Sequence, residues 1–224
     1  TEPTNPRERF ERPVPIGVST GHFGITAGTI GCRVSKNNTT YALSNNHVFA
    51  NENLAGIGDA VLQPGPIDGG VNNSNDQLGT LSEFVSLAFD GSDNTVDAAI
   101  AAVGNDLDTG TPSNGYGTPS SNTKAPALRE RVQKYGRTTS QTNGRIAGIN
   151  ATVNVGYDTG TARFIGQILV SPVGFSAGGD SGSLIVTRSG NRPVGLLFAG
   201  SSSITVANVI DDVLDAFGVT IDGN

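Results

Sequence analysis

Three segments carry side chains whose types could perform nucleophilic chemistry. "GGDSGSLIV", Gly178 to Val186, sets Asp180 and Ser181 between glycines just before an apolar run. Glycine permits close backbone approach and dihedrals that other residues avoid, while Asp and Ser bring charge and a hydroxyl. A tight turn would use the same residues. The chain has only two histidines, so a general base working near neutral pH has few candidates. His47 sits where the apolar run of "YALSNNHVFA" gives way to Ser44, Asn45 and Asn46, at a strand-to-loop transition. His22, in the glycine turn "STGHFG", reads as a packing or surface residue. Asp97 opens "VDAAIAAV", whose small and apolar neighbours would carry the carboxylate inward, where it needs a hydrogen-bonding or charged partner. Taken alone, Asp97 would be a turn cap and His47 a satisfied structural histidine. Together, in the order His, Asp, Ser, they are the parts of a nucleophile, a base and a group that orients the base.

The elements that must position these groups read as β-strands. The chain has 224 residues with 31 Gly, 11 Pro and no Trp, and short β-rich runs such as "TIGCRV", "RVQKYG", "GSLIVT" and "PVGLLFAG" alternate with Gly-, Pro-, Asn- and Ser-rich turns. This is the rhythm of a barrel or sandwich. The organisation expected is an N-terminal arm over 1–15, a first lobe over 16–108 with His47 and Asp97, a polar linker over 109–127, a second lobe over 128–208 with Ser181, and a helical tail over 209–224. In that tail Val209, Ile210, Val213, Leu214 and Phe217 fall at helical spacing with Gly218 as a stop, and the helix is expected to pack on the second lobe.

Bulk properties narrow the partners. A net charge of -6 and an isoelectric point near 4.8 argue against nucleic acid or an anionic membrane surface. The single Cys32 excludes an internal disulfide, and no apolar run reaches the ~18 residues that a spanning helix needs. The chain begins with Thr, which is compatible with prior removal of a signal or pro-segment, so secreted and cytoplasmic locations both stand; composition is silent on oligomeric state. Asp90, Asp93 and Asn94 offer oxygens in one loop, fewer than a calcium ion requires, and no metal or cofactor is expected.

"SNNHVFA", "TVDAAIAAV" and "GGDSGSLIV" resemble the three catalytic segments of chymotrypsin-like serine proteases, in that family's chain order. "TIGCRVSKNNTTYALSNNH" and "VQKYGRTTSQTNGRIAGINATVNVGYDTG" are similar to bacterial members of the α-lytic protease and streptogrisin type, and the likeness runs from about Gly28 to Gly200. The resemblance implies an all-β fold of two packed six-stranded antiparallel barrels, a C-terminal helix, and an active site in the cleft between lobes. It implies a His47/Asp97/Ser181 triad that hydrolyses peptide bonds, activity rising as His47 becomes neutral at about pH 6–7. An oxyanion hole would come from the backbone N–H groups of Gly179 and Ser181, and Lys134 would pair with Asp180. It places Phe175 and Ser176 at the base and wall of a substrate pocket, with Phe198, Ala199 and Gly200 along its edge, favouring small or medium apolar P1 side chains. Leu197 stands where glutamate-specific members carry a pocket histidine.

Four departures qualify the resemblance: Asn45-Asn46 precede the histidine, no cysteine follows it, Ser183 replaces a commoner glycine, and Phe198 occupies the place of a serine that supports the aspartate. Asp97 is therefore expected to lose one hydrogen bond. The alternative function is a protease-fold binding or scaffold module with weak or no catalysis; activity confined to self-processing of the arm near Arg7 to Arg12 is a third.

Overall fold

The computed structural model describes residues 3–224. Most of its strands are short and turn sharply because the sequence supplies residues that tolerate left-handed backbone. Between β3 (Cys32–Lys36) and β4 (Thr39–Ser44), Asn37 and Asn38 both take positive φ, 50° and 60°, which gives a two-residue turn whose twist matches its strands.

Two antiparallel sheets account for nearly all the strands. The first combines β1 (Ser19–His22), β2 (Gly28–Thr29), β3, β4, β5 (Ala60–Leu62), β6 (Gln77–Phe84), β8 (Ala99–Ala102) and the last strand, β15 (Thr220–Ile221). Its order, β15-β3-β4-β8-β6-β5-β1-β2, is an open half-barrel. The second runs β10 (Ser140–Tyr157), β9 (Arg131–Gly136), β12 (Leu184–Thr187), β13 (Pro193–Gly200), β14 (Thr205–Val209), β11 (Gly160–Ser171), and closes into a six-strand ring through β10–β11 pairing. A short β7 (Asp93–Asn94) from the first half of the chain adds to β11 in parallel. The fold is all-β in two barrel-like sheets, as the sequence predicts.

The lobes meet backbone to backbone, and glycines make this possible. A Cβ on Gly31 would lie 2.5 Å from Gly182 O, and one on Gly182 would lie 2.2 Å from Thr29 O. Thr29 N donates to Ser181 O at 2.8 Å across the same seam. Any side chain there would push the sheets apart, so the seam sets how closely the Ser181 turn approaches the first lobe.

The terminal helix α2 (Ile210–Phe217) forms as its spacing predicts, and Gly218, at φ 62°, ends it. It packs against β13 and β14 of the second lobe, as expected, and its apolar face also reaches the first. Ile210, Val213, Leu214 and Phe217 join one continuous core with Ile30, Val34 and Leu43 of the first lobe as well as Leu184 and Leu196 of the second. β15 then pairs with β3, and Arg33 holds Asp222 at 2.7 Å. The helix ties the lobes together because its apolar face is wide enough to serve both. The N-terminal arm is likewise fastened, with Val14 N bonding Asp106 O at 2.7 Å and Phe10 and Val14 buried in that same core. The polar 109–127 stretch has no regular secondary structure and is pinned by backbone bonds such as Ser120 N to Asn191 O and Lys124 N to Pro193 O.

Candidate active site

β4 ends at Ser44, and α1 (Asn46–Phe49) is a single helical turn that carries His47 to the seam. Asp97 lies just before β8, which pairs with β4, so strand pairing brings the two side chains together. His47 Nδ1 is 2.6 Å from Asp97 Oδ2, and His47 N donates to Asp97 Oδ1 at 3.2 Å. Asp97 is wholly buried, while 21% of the His47 side chain is exposed. A carboxylate buried in this way needs its lone pairs satisfied. Tyr157 Oη donates to Oδ2 at 2.8 Å, and the Asp97 backbone is held by Asn208 Oδ1 on its N–H and Asn45 Nδ2 on its carbonyl.

Burial works to lower the His47 pKa, but the charge and hydrogen bond of Asp97, helped by Glu52, outweigh it, and the net direction is up. Burial and the nearby Asp97 charge push the Tyr157 phenol far up, so it stays a donor at any working pH.

Ser181 lies across the seam from this pair. A Cβ on Gly28 would sit 2.4 Å from Val48, next to His47, and 3.1 Å from Ser181 O. Ser181 Oγ donates to Phe198 O at 3.4 Å, and among the described residues it makes no hydrogen bond to the His47 ring. The turn before it is left-handed at Gly179, φ 94°. The N–H groups of Asp180, Gly182 and Ser183 donate to Ala177 O, Leu197 O and Asp180 O, whereas those of Gly179 and Ser181 find no protein acceptor among the described residues. Two free backbone donors thus flank the Ser181 hydroxyl.

Asp180 is turned away from them into the protein. Its carboxylate accepts from Thr138 N, Thr139 N, Thr139 Oγ1 and Ala177 N at 2.7–3.2 Å, and Lys134 Nζ lies 3.7 Å away with both side chains fully buried. Lys134 also bonds Ser140 O, and burial lowers its pKa to about 8 against the opposing pull of Asp180.

Beside Ser181 is a cavity of about 210 Å³ bounded by Ser176, Gly178, Leu197, Ala199, Gly200 and Ser201 among others. Of the predicted pocket residues, Ser176, Ala199 and Gly200 line it, and Phe175 and Phe198 do not. The Phe175 ring is buried in the second-lobe core and carries Lys134 Nζ 5.8 Å from its centroid. The Phe198 ring packs 4.6 Å from Phe164 in a separate cluster. Both are 2% exposed or less, Phe175 from the loop that follows β11 and Phe198 from β13, with their rings in apolar interiors rather than the cleft.

The expected loss of a hydrogen bond at Asp97 is also corrected. Phe198 provides none, but Tyr157, from the tip of the β10–β11 hairpin, does. The hairpin reaches the first lobe because Glu52 accepts from Thr159 N, Thr159 Oγ1 and Asp158 N at 2.7–3.2 Å. Neither residue is identifiable from sequence spacing, and Tyr157 shows only as an aromatic beside a turn. His22 bonds Asp59 at 3.1 Å, remote in role from this site. Asp93 pairs with Arg163 and Asn94 clasps Ala88, so both loop oxygens are already engaged.

Over 93–94% of the chain the backbone is similar to that of solved bacterial proteases. Thermobifida fusca protease A superposes with a TM-score of 0.67 at 22% identity, covering 94% of this chain and 100% of that one. A chymotrypsin of Cellulomonas bogoriensis gives 0.64 at 20% identity, covering 94% and 99%. The chain has the chymotrypsin fold. A glutamic-acid-specific serine protease, described as using a histidine triad to bind substrate, gives 0.65 at 21% identity over 93% of this chain and all of the other. No protein-family model and no curated protein matches the sequence. Within the chymotrypsin fold, His47, Asp97 and Ser181 lie at the seam between lobes, and the 210 Å³ cavity opens next to Ser181.

Proposed function

We propose that the protein is a serine endopeptidase acting on peptides or proteins through an acyl-enzyme on Ser181. The observation that carries this reading is the 2.6 Å His47–Asp97 pair, closed at the carboxylate and open to solvent on the imidazole side, beside a serine flanked by two free N–H donors. Asp97 accepts a hydrogen bond from Nδ1–H, which keeps the proton on Nδ1 and leaves His47 Nε2 as the base. Ser181 Oγ attacks the scissile carbonyl while its proton passes to Nε2. The oxyanion is taken up by the N–H groups of Gly179 and Ser181, donors of a kind worth about 10²–10³ in rate each. Collapse breaks the C–N bond as Nε2 returns the proton to the leaving amine. Water then repeats the sequence on the acyl ester and frees Ser181.

The cavity lining is small and uncharged, which favours small or medium apolar P1 side chains. A histidine-lined glutamate pocket is disfavoured, since His22 and His47, the chain's two histidines, are engaged with Asp59 and Asp97. One observation favours a second reading, a binding module without turnover: Ser181 Oγ donates to Phe198 O rather than to His47. Hydrogen bonds of this kind are often long or misaligned without substrate and tighten when it binds, so hydrolysis remains the preferred reading.

Intact-mass labelling with a fluorophosphonate separates the two. One adduct on the native chain, absent from Ser181→Ala and His47→Ala, is the result expected of a peptidase. A folded native chain that takes up no probe would leave the binding module standing.

A further inference from the structure

Two sets stand out among the eleven arginines of this acidic chain. Arg9, Arg12, Arg33, Arg137 and Arg163 each hold an aspartate at 2.6–3.3 Å. Arg129, Arg131, Arg145 and Arg188 hold none, and among the described residues not one of these four guanidinium groups donates a hydrogen bond. All four are exposed and they gather on one face of the second lobe. The fold puts them there: Arg131 of β9 and Arg145 of β10 are direct cross-strand partners, and Arg188 N donates to Arg131 O at 2.9 Å. Two adjoining concavities share Arg131, Arg145 and Arg188. Glu130, the carboxylate at their rim, is already paired with Lys124 at 2.6 Å.

Like charges directly opposed across a strand pair destabilise a sheet. An excess of aspartate and glutamate elsewhere in the chain makes such a pair easy to neutralise, yet no carboxylate of the described residues does so. Arginine forks suit bidentate binding of oxyanions, and several forks converging on one spot suit a ligand that concentrates several negative charges in a small volume.

We infer that this face, built by Arg131, Arg145 and Arg188 with Arg129 at its edge, binds a compact oligoanion carrying clustered phosphate or sulfate groups. Four arginines in one patch fit a small multiply charged molecule rather than the long basic stripe that a nucleic-acid duplex rewards. Arg131 lies five residues along β9 from Gly136, whose Cβ position would touch Asp180, so the face is about 16 Å of extended strand from the Ser181 turn. An anion bound there leaves the candidate active site open, and the inference does not rest on proteolysis.

The test is calorimetric titration of the whole chain at low salt with inorganic tripolyphosphate and, separately, with a fully sulfated disaccharide, alongside melting curves. Saturable binding that weakens with added salt, and falls at least tenfold in Arg131→Ala/Arg145→Ala, is expected, while Arg163→Ala, whose guanidinium is held by Asp93, keeps it. Preference for one titrant assigns the group as phosphate or sulfate. Without anion the double variant melts at the same temperature as the native chain or higher, because a repulsion has gone; with anion only the native chain gains. Equal affinity in native and double-variant chains, or no saturable binding of either anion, overturns the inference. A double variant that melts well below the native chain without anion also overturns it, since the pair would then be structural.

Discussion

Tyr157 Oη donates to Asp97 Oδ2 at 2.8 Å, although 60 residues separate them and they belong to different lobes. The same Oδ2 receives His47 Nδ1 at 2.6 Å, so one carboxylate oxygen joins the second-lobe hairpin to the imidazole. Hydrogen bonds to charged groups contribute about 1.5–3 kcal/mol, and partial exposure of Tyr157 puts this one at the low end. Tyr157→Phe is therefore expected to lower kcat about tenfold with KM nearly unchanged. It also leaves Asp97 with a less delocalised charge, which pulls the His47 pKa higher and shifts the acid limb of the rate profile to higher pH. A Tyr157→Phe enzyme with native kcat and an unmoved limb would show the bond to be structural only.

As the proposed base, His47 is expected to set the pH dependence. Its pKa is above the ordinary value because Asp97 and Glu52 outweigh burial, so hydrolysis should rise with pH through a midpoint above about 6.5. Removing the more distant charge in Glu52→Gln should move that midpoint down. For stability the sign is opposite to that for activity. A histidine whose folded pKa is raised stabilises the fold fully below its unfolded value of about 6.5, and that contribution fades as pH climbs through the folded value. Denaturant unfolding at pH 5.5 and 8.5 should show the native chain's margin over His47→Gln shrinking at the higher pH.

The sequence made Ser181, His47 and Asp97 legible as the candidate nucleophile, base and orienting acid because each lies in a short local signal: a glycine-flanked Asp-Ser, a histidine at a strand end, an aspartate opening an apolar run. Alternating strands and paired turn asparagines likewise gave the all-β class. Tyr157 was hidden because its role depends on how far an 18-residue strand reaches, which no local pattern encodes. Phe175 and Phe198 were misplaced for different reasons: Phe175 lies in the loop after β11, where no strand pattern applies, and Phe198 lies on β13. Alternation says that a residue faces one side of a strand, but in a closed ring over a cleft it does not say which side is interior. The helix at Ile210–Phe217 was found by period and packs on the second lobe as expected, but period alone does not tell that its apolar face also joins the first-lobe core.

Lys134 provides a second pH signature. Burial lowers its pKa to about 8, against about 10.4 in an unfolded chain. Between those values the unfolded chain holds a proton that the folded one has lost, so this group makes the fold more stable as pH rises from about 8 to 10. Urea unfolding of native and Lys134→Met chains at pH 7.5 and 9.5 isolates the effect: the native chain should gain on the variant. At neutral pH the variant should survive, because Asp180 keeps the four hydrogen bonds from Thr138, Thr139 and Ala177. A native chain that loses ground at pH 9.5 would mean that the ammonium is needed to hold Asp180.

Gly179 joins backbone geometry to rate. Its φ of 94° is costly for any residue with a side chain, and a Cβ there would lie 2.6 Å from both Arg137 Nη1 and Thr138 Oγ1. Arg137 has little freedom to retreat, since its fork is held by Asp68 at 2.6 and 2.7 Å. Gly179→Ala must therefore strain the turn or rotate its N–H away from the cleft. Strain alone would cost about 1–3 kcal/mol of stability with kcat preserved in the surviving fold. Rotation would remove one oxyanion donor and cut kcat by about 10²–10³ at unchanged KM, while fluorophosphonate labelling slows in proportion. The crowding at Arg137 and Thr138 favours rotation, because swinging the peptide relieves both contacts without breaking the Arg137–Asp68 pair. Comparing kcat, labelling rate and melting temperature of Gly179→Ala decides between them, and native kcat in a destabilised protein would remove Gly179 from the proposed oxyanion site.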